Sequence, residues 1–246
     1  MIHLRTQGGF CNRLRAIISA ILWAEDLDEY FTIYWPVEPG HMPCAIEELI
    51  DLNSISRLAT TSASYLCDAI EVQSEEKAAV VFLGGNRKIE SLAVFHKDVF
   101  KTRGLIHLRA LRFNKHVENE AAARWNVYDG KSSWRAIHFR GTDHRDCLSA
   151  SPITLFKEYI EESNGQTFML FSDEMNVKKD LCLEYANVKS CLVALGREEP
   201  QQQKMGVVEW LMMQKCRTII ASSGSSYSQM AAARSGATLI TLKTVS

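Results

Sequence analysis

The chain has 246 residues, enough for one or two domains of ordinary size. Lys and Arg number 28 and Asp and Glu 29, so the formal net charge is −1, which excludes a strongly basic nucleic-acid-binding protein. A hydrophobic fraction of 46% excludes a largely disordered chain, and no apolar run approaches the roughly 18 residues of a membrane span.

The first forty residues predict a strand–loop–helix–strand unit. Residues 2–6 alternate apolar and polar side chains, and Gly8-Gly9 end that strand. Apolar residues then recur at helical spacing over 14–23, and the β-branched and aromatic stretch 31–35 predicts a second strand. The middle of the chain is less periodic, and its predicted elements are a short helical stretch at 45–52, a strand at 78–83 and some helix within 98–113.

The second half alternates strands and helices at a regular pitch. The predicted strands are 135–139, 167–171, 190–194, 218–221 and 237–242. The predicted helices are 152–162, with Ser151 as its cap, 177–185, 204–215 and 226–234. Such alternation implies a parallel sheet covered on both faces. Turn residues around Asp129-Gly130 mark the boundary between the halves, so we predict domains over 1–128 and 129–246.

The cysteines bear on the compartment of the protein. Seven are present, with neither C-x-x-C pairs nor the Cys/His spacing of a zinc site. Several stand in apolar runs, so we expect reduced thiols rather than a disulfide framework. The N-terminus has the pattern of a strand and not of a signal peptide. We therefore expect a cytoplasmic protein, or one whose targeting segment is not part of this sequence.

Three polar loops follow predicted strands, at the carboxyl ends where open α/β sheets bind ligands. The first is Gly8-Gly9-Phe10-Cys11-Asn12-Arg13, in which two glycines precede the start of a helix. Glycines let a backbone approach a ligand closely and a helix N-terminus attracts anions, but a tight structural turn would use the same residues. The loop lacks the G-x-G-x-x-G spacing, so a dinucleotide fingerprint is not supported.

The second loop is the charged run H-F-R-G-T-D-H-R-D over 138–146. His138 and Arg140 are two residues apart, so they share one face of a strand. The guanidinium fork of Arg140 matches the geometry of phosphate. The alternative is a solvated loop with local ion pairs.

The third loop is S-S-G-S-S-Y-S over 222–228, between a strand and a helix. Its backbone N–H groups at a helix N-terminus form either a phosphate cradle or an ordinary serine-rich cap. No G-K-[ST] follows, so it is not a Walker A loop. The acids of Asp173-Glu174, at a fourth strand end, are suited to accept hydrogen bonds from a sugar or base, or to cap the next helix.

Together these loops resemble the fucosyltransferase superfamily, which includes nodulation fucosyltransferases, α1,6-fucosyltransferases and protein O-fucosyltransferases. The resemblance rests on G-G-F-x-N-R, H-F-R-G-T-D, F-S-D-E and S-S-G-S-S-Y-S in this order. It covers 135–236 and, in the first half, the loop 8–13 alone. It implies a GT-B fold, with two Rossmann-like parallel-sheet domains and a cleft between them. It also implies GDP-fucose as donor and no metal or other cofactor. The chain is short for two full domains, so we expect the N-terminal half to be trimmed.

The resemblance assigns functions to individual residues. Arg140 matches the arginine that holds the donor β-phosphate, and His138 matches the histidine beside it. Glu209 falls where the family has an aspartate that binds guanine; the alternative is a place on the polar face of an amphipathic helix. The other donor-binding residues we predict are Gly9, Asn12, Arg13, Asp173, Ser223, Ser225 and Ser226. Independently of the resemblance, Arg140 would stabilise the charge that develops on GDP as the sugar–phosphate bond breaks.

Two positions depart from the α1,6-type pattern. Gly141 stands where some of those enzymes carry a second arginine, and no glutamate follows the T-D pair, where they carry the proposed acceptor base. The candidate bases are Asp143, His144 and Asp146, and our predicted catalytic residues are Arg140, Asp143 and Asp146. A path in which the departing phosphate accepts the proton stays open.

We therefore expect an inverting, metal-independent enzyme that moves fucose from GDP-fucose to a glycan hydroxyl. Its partners would be a nucleotide sugar and a glycan acceptor, with no nucleic acid. Two alternatives remain: the same fold with another nucleotide-sugar donor, and a catalytically silent nucleotide- or glycan-binding module. Asp26-Leu27-Asp28, the only D-x-D, is interpreted as solvated surface rather than as a metal site.

Overall fold

The computed structural model describes residues 2–56, 59–62, 70–71, 88–91, 100–128, 133–141 and 145–244. The strand predicted at 78–83 lies outside these residues. Contacts divide the chain into two compact units. The first unit is Met1–Asn114 with Arg197–Pro200, and the second unit is Lys115–Gly196 with Gln201–Ser246.

The first unit contains a five-stranded parallel sheet in the order β3-β2-β1-β5-β4. Its strands are β1 (Ile2–Thr6), β2 (Phe31–Tyr34), β3 (Ala59–Ser62), β4 (Ile70–Glu71) and β5 (Lys88–Ser91). Its helices are α1 (Phe10–Asp26) and α2 (Thr102–Ala110). The predicted strand–helix–strand unit is confirmed, whereas the stretch 45–52 contains the short 3-10 turn Ile46–Glu48 and only the first residue of a second one, Leu52–Ser54.

Helix α1 forms the core of the first unit. It packs on β1 and against α2, and Leu14, Ile17, Ile18 and Ile21 are fully buried. Burial of each such side chain contributes roughly 1.5–3 kcal/mol relative to exposure. This packing fixes the loop between β1 and α1 at the carboxyl edge of the sheet.

The second unit contains a second five-stranded parallel sheet, in the order β10-β9-β6-β7-β8. Its strands are β6 (Arg135–Phe139), β7 (Phe168–Ser172), β8 (Val188–Ser190), β9 (Thr218–Ser222) and β10 (Thr238–Leu242). Its helices are α3 (Lys115–Val127), α4 (Arg145–Ala150), α5 (Ile153–Glu162), α6 (Met175–Glu184), α7 (Pro200–Met213) and α8 (Ser226–Ser235). The predicted α/β class with parallel sheets is confirmed.

The core of the second unit lies between the sheet and its helices. Ile137, Phe139, Phe168 and Leu170 from β6 and β7 are buried with Phe156 of α5. The Phe139 and Phe156 rings meet edge to face, with centroids 5.4 Å apart. The central strands β6, β7 and β9 are nearly continuous buried runs, as expected for a parallel sheet covered on both faces.

The strand order places one ligand-binding position in this sheet. From β6 the chain proceeds outward through β7 and β8, and then returns to add β9 and β10 on the other side. The strand order therefore reverses between β6 and β9: the chain continues from β6 towards one edge of the sheet and from β9 towards the other. In open α/β sheets this switch point at the carboxyl ends of the strands is where ligands bind.

The division between the units falls earlier than the predicted boundary at residues 128 and 129. Helix α3, which the sequence pattern did not predict, belongs to the second unit. Two contacts hold its end there: the Trp125 and Trp134 rings are 6.3 Å apart, and the Tyr128 hydroxyl donates to the Ser190 carbonyl at 3.0 Å.

Two smaller predictions are corrected. Ser151 does not cap α5, because Pro152 occupies the N-cap position. The Ser151 hydroxyl donates instead to the Leu242 carbonyl and accepts from the Ser223 N–H at 2.8 Å. The strand predicted at 190–194 is shorter and earlier, since β8 ends at Ser190.

Two further findings concern the described residues only. No disulfide joins the six cysteines found among them. In the same part of the chain, no helix has both the length and the apolar composition of a membrane-spanning segment.

Candidate functional site

The two loops at the switch point of the second unit are bonded to each other. Arg140 follows β6 directly, and its backbone N–H donates to the Ser222 hydroxyl at the end of β9, at 3.1 Å. The charged motif and the serine-rich motif, which are 82 residues apart in sequence, thus form one edge. This edge brings Arg140, the serine-rich loop and the N-terminus of α8 together.

Asp173 holds the turn that follows Arg140. Its Oδ1 accepts a hydrogen bond from the Gly141 N–H at 2.7 Å. A Cβ on Gly141 would overlap the Glu174 Cγ and would lie 3.0 Å from the Phe139 ring. A side chain at position 141 would therefore displace the Glu174 side chain, and Asp173, a predicted donor-binding residue, positions the arginine loop.

The serine-rich loop ends in a polar group without a protein partner. Gly224 has a φ of +75°, which turns the chain into α8. Ser225 is the N-cap of α8, yet its side chain makes no capping bond. Its hydroxyl is buried and has no hydrogen-bond partner among the described residues. An unsatisfied buried polar group costs roughly 1–3 kcal/mol, so this hydroxyl, beside the N–H groups that open α8 at Ser226, is suited to an anionic ligand.

His138 lies beneath this edge as a neutral side chain. It is buried and stacks on Tyr227, with ring centroids 4.9 Å apart. Burial lowers the pKa of His138 to about 4, with the charges of Arg140 and Lys178 acting in the same direction and that of Asp173 opposing them. Its Nδ1 has no hydrogen-bond partner among the described residues. A neutral imidazole there offers one donor and one acceptor.

Glu209 lies in the interior and not on a polar helix face, so the amphipathic-helix interpretation is wrong. The carboxylate is fully buried, and Lys178 Nζ donates to its Oε1 at 2.6 Å. The same ammonium donates to the Cys191 carbonyl at 3.2 Å. Burial raises the pKa of Glu209 to about 7, although Lys178 opposes the shift. Oε2 is buried and has no hydrogen-bond partner among the described residues. A guanine base would contact it only if the packing around Glu209 opened.

The loop after β1 in the first unit is closed by its own arginine. Arg13 is fully buried; its Nε donates to the Gly8 carbonyl at 2.8 Å and its Nη1 to the Pro36 carbonyl at 2.7 Å. The guanidinium also lies over the Trp35 ring, 4.9 Å from its centroid. Burial lowers the pKa of Arg13 to about 10. In this arrangement Arg13 fixes the loop from beneath.

Gly8, Gly9 and Asn12 of this loop are more accessible than Arg13. Gly8 has a φ of +71°, Gly9 is the N-cap of α1, and Asn12 is half-buried. The Arg197 guanidinium lies 3.8 Å from the position that a Gly9 Cβ would take. No local pattern marked Arg197, because it reaches this loop from a distant part of the sequence.

The predicted site residues fall into three groups. The carboxyl edge of the second sheet holds His138, Arg140, Asp173, Ser223, Ser225 and Ser226. The first unit holds Gly9, Asn12 and Arg13, and Glu209 is in the interior of the second unit. Asp143 lies outside the described residues, as does the side chain of Asp146, whose backbone belongs to α4. No pattern in the sequence singled out Lys178, because its partner Glu209 is 31 residues away.

Acidic residues elsewhere do not form a metal site in the described part of the chain. No group of three or more His, Cys, Asp or Glu side chains there is arranged to hold an ion. In the D-x-D sequence, Asp26 accepts from Arg103 at 2.6 Å, which ties the end of α1 to α2.

Comparison with known proteins identifies the fold. No family model matches the sequence, and no curated protein matches it. The crystal structure of the fucosyltransferase NodZ from Bradyrhizobium matches with a TM-score of 0.66 at 12% identity, covering 94% of this chain and 91% of that chain. NodZ α-1,6-fucosyltransferase co-crystallised with GDP matches equally well, with a TM-score of 0.66. POFUT1 in complex with GDP-fucose matches with a TM-score of 0.62 at 9% identity, covering 98% of both chains.

These matches confirm the predicted resemblance at the level of the fold. The chain shares the α/β fold of these fucosyltransferases over almost its whole length. At such identities the likeness carries the architecture alone, and the function has to be argued from the site.

Proposed function

We propose that the protein is an inverting GT-B glycosyltransferase that moves fucose from GDP-fucose to a glycan hydroxyl. One observation carries the proposal: the hydrogen bond from the Arg140 N–H to Ser222 Oγ joins a phosphate-matching arginine to a serine-rich helix N-terminus. This junction lies at the switch point of a parallel sheet. The shared fold with chains crystallised with GDP and with GDP-fucose supports the choice of donor.

The chemistry follows from the charges at this edge. As the bond between the fucose C1 and the β-phosphate oxygen breaks, its electron pair goes to that oxygen, and Arg140 stabilises the charge. The N–H groups at the start of α8 and the Ser225 hydroxyl bind the phosphates. Asp173 keeps the arginine loop in place through Gly141. Together these groups supply positive potential without a metal ion.

The first unit and Glu209 contribute further predictions. We keep Gly9, Asn12 and Arg13 as donor-binding residues, with Arg13 acting through the loop that it holds. Glu209 remains our predicted guanine contact through Oε2, the oxygen that Lys178 leaves unpaired. Glu209→Ala should weaken GDP binding at least tenfold and reduce the preference for GDP over UDP, as measured by calorimetry. Unchanged GDP affinity would contradict the assignment.

A panel of nucleotides tests the proposal as a whole. Thermal stability should rise with GDP and GDP-fucose and much less with UDP, CMP and their sugars, because ligand that binds only the folded state stabilises it. The chain should also release GDP from GDP-fucose. A silent binding module would bind GDP without cleaving the donor, and the same fold with another donor would respond to a different nucleotide.

A further inference from the structure

Glu174 occupies a special position at the carboxyl edge of the second sheet. It follows β7, and its side chain crosses the backbone of Gly141, so closely that a Cβ on Gly141 would overlap the Glu174 Cγ. Gly141 is the residue directly after Arg140. The Glu174 side chain thus lies against the loop that carries the proposed phosphate-binding arginine.

The neighbouring acids are already engaged, whereas Glu174 is not. Asp173 accepts from the Gly141 N–H at 2.7 Å, and Glu209 accepts from Lys178 at 2.6 Å. The Glu174 carboxylate has no hydrogen bond or ion pair within the described part of the chain, and its residue is half-buried. Glu174 is also the N-cap residue of α6, and its side chain makes no capping hydrogen bond there. Within the described part of the chain, Glu174 is therefore an acid without a side-chain partner, next to the loop that carries Arg140.

We propose that Glu174 is the general base of the transfer reaction, an inference that rests on the proposed function. The acceptor hydroxyl oxygen forms a bond to the fucose C1 while the bond from C1 to the β-phosphate oxygen breaks. The hydroxyl proton passes to the Glu174 carboxylate, and the electron pair of the broken bond leaves with GDP. The carboxylic acid then returns the proton to water, so atoms and charges balance.

This assignment gives one explanation for both departures from the α1,6-type pattern. Gly141 replaces the second arginine, and the missing side chain leaves the space that Glu174 occupies. The glutamate absent after the T-D pair is then replaced by one that follows the next strand. A base must come within hydrogen-bond reach of the proton it abstracts, and a carboxylate beside Arg140 lies near the bond that breaks.

The test uses the full chain and GDP-fucose in water, with released GDP as the readout. Glu174→Gln preserves the size of the side chain but removes the base, so kcat should fall about 10²–10⁴-fold. The Kd for GDP, measured by calorimetry, should stay within about threefold, as expected for a group outside the nucleotide contacts. Asp180→Asn, an exposed acid on the same helix, is the matched control and should behave as wild type.

Sodium azide separates a missing base from a damaged site. Azide is an anionic nucleophile that needs no deprotonation, so it should restore GDP release in Glu174→Gln and yield fucosyl azide of inverted configuration. It should not restore Arg140→Ala, in which the leaving group lacks its partner.

The outcomes distinguish this inference from the proposed function. Wild-type cleavage with an unaffected Glu174→Gln variant, or a loss that azide does not restore, overturns the base and leaves the fucosyltransferase proposal intact. Rescue of Asp143→Asn or Asp146→Asn in place of Glu174→Gln would assign the base to those residues and overturn the inference. A wild-type chain that neither binds GDP nor cleaves GDP-fucose overturns both.

Discussion

The two units each contain a strand–loop–helix turn with glycine, but the turns use their polar groups differently. In the first unit, Arg13 donates to the Gly8 and Pro36 carbonyls, and its Nη2 lies 3.9 Å from Glu38. In the second unit, the Ser225 hydroxyl at the start of α8 and the His138 Nδ1 beneath it are buried without partners in the described residues.

This difference separates a turn whose arginine is largely engaged by backbone carbonyls of the chain from one whose buried hydroxyl and ring nitrogen have no partner among the described residues. Buried polar atoms are nearly always paired in native proteins, so unpaired ones require an explanation. Around Arg13 the chain itself engages most of the guanidinium: Nε and Nη1 donate to the Gly8 and Pro36 carbonyls, whereas Nη2 is buried without a hydrogen bond to any described residue, 3.9 Å from the Glu38 carboxylate. Around Ser225 a ligand such as a phosphate would satisfy them, at the switch point where ligands are expected. Glycines and a helix start are common to both turns and do not distinguish them.

The largest expected effect is on catalysis, and it follows from removing the positive charge of Arg140 beside the second turn. Arg140→Ala should lower kcat/KM for GDP-fucose by roughly 10²–10³, which corresponds to about 3–4 kcal/mol of lost transition-state stabilisation. Arg140→Lys should also be strongly impaired, because a point charge does not reproduce the guanidinium fork. Lys179→Ala, an exposed cation on α6, is the control. Near-normal turnover in Arg140→Ala would remove the arginine from the mechanism.

Substitution of Arg13, in the first turn, should lower the stability of the folded protein. Arg13→Met leaves the Gly8 and Pro36 carbonyls without their donors, and each unsatisfied buried group costs roughly 1–3 kcal/mol. We expect the free energy of unfolding, measured by urea denaturation, to fall by about 3 kcal/mol. Arg112→Met, at an exposed arginine of the same unit, should cost less than about 1 kcal/mol. If Arg13→Met loses GDP affinity but not stability, Arg13 is itself a ligand contact and the comparison fails.

Such a contrast between the turns was only partly accessible from the sequence. Most elements of the second half were predictable because apolar strands alternate with periodic helices. Helix α3 was not, since its buried residues Val117, Ala121 and Trp125 form a stripe of one residue per turn. The motifs located the loops at the switch point.

The partners of the buried charges could not be predicted. Arg13 bonds to a carbonyl 23 residues away and Glu209 to an ammonium 31 residues away. A charged residue in a sequence predicts a side chain that is exposed to solvent or that contacts a ligand. Only the packing shows that its partner is another group of the same chain. The close approach of the Glu174 side chain to Gly141 likewise could not be predicted, because the two residues are far apart in the sequence.

Ser225 gives an intermediate effect and the sharpest contrast with Arg13. Ser225→Ala removes a hydroxyl that no described residue pairs, so the free energy of unfolding should not fall. GDP affinity should fall about tenfold or more, because a hydrogen bond to a charged group contributes roughly 1.5–3 kcal/mol. Ser228→Ala is the matched control: its hydroxyl donates to the Ser225 carbonyl at 3.3 Å, so it should lose stability and keep GDP affinity. The reverse pattern would contradict the cradle.

The second unpaired atom, His138 Nδ1, is tested through pH. Burial lowers the pKa of His138 from 6.5 to about 4, so the stability linked to it is present above pH 6.5 and is lost as pH falls towards 4. Burial raises the pKa of Glu209 from 4.5 to about 7, so its stability is present below pH 4.5 and is lost as pH rises to 7. The two oppose each other between pH 4.5 and 6.5.

His138→Phe removes one of these opposing groups and keeps an aromatic ring against Tyr227. The free energy of unfolding of this variant should then decrease as pH rises from 4.5 to 6.5, with a slope on the order of 1 kcal/mol per pH unit. The wild-type protein should be nearly flat over the same range. Urea denaturation at pH 5, 5.5 and 6 measures both slopes. Parallel curves for the two proteins would mean that His138 is not buried as a neutral group.

The smallest expected effect is that of metal removal, and it tests whether the second turn is sufficient by itself. Leaving-group charge can be stabilised by a cation or by fixed donors, and here Arg140 and the N-terminus of α8 supply the fixed donors. The D-x-D sequence offers no ready alternative, since Asp26 is bound to Arg103 at 2.6 Å. GDP release from GDP-fucose should therefore be unchanged in EDTA and after dialysis into metal-free buffer. Activity that disappears with EDTA and returns with Mn²⁺ or Mg²⁺ would show that arginine and helix together do not neutralise the departing phosphate, and the complete site would then need an ion beside Arg140.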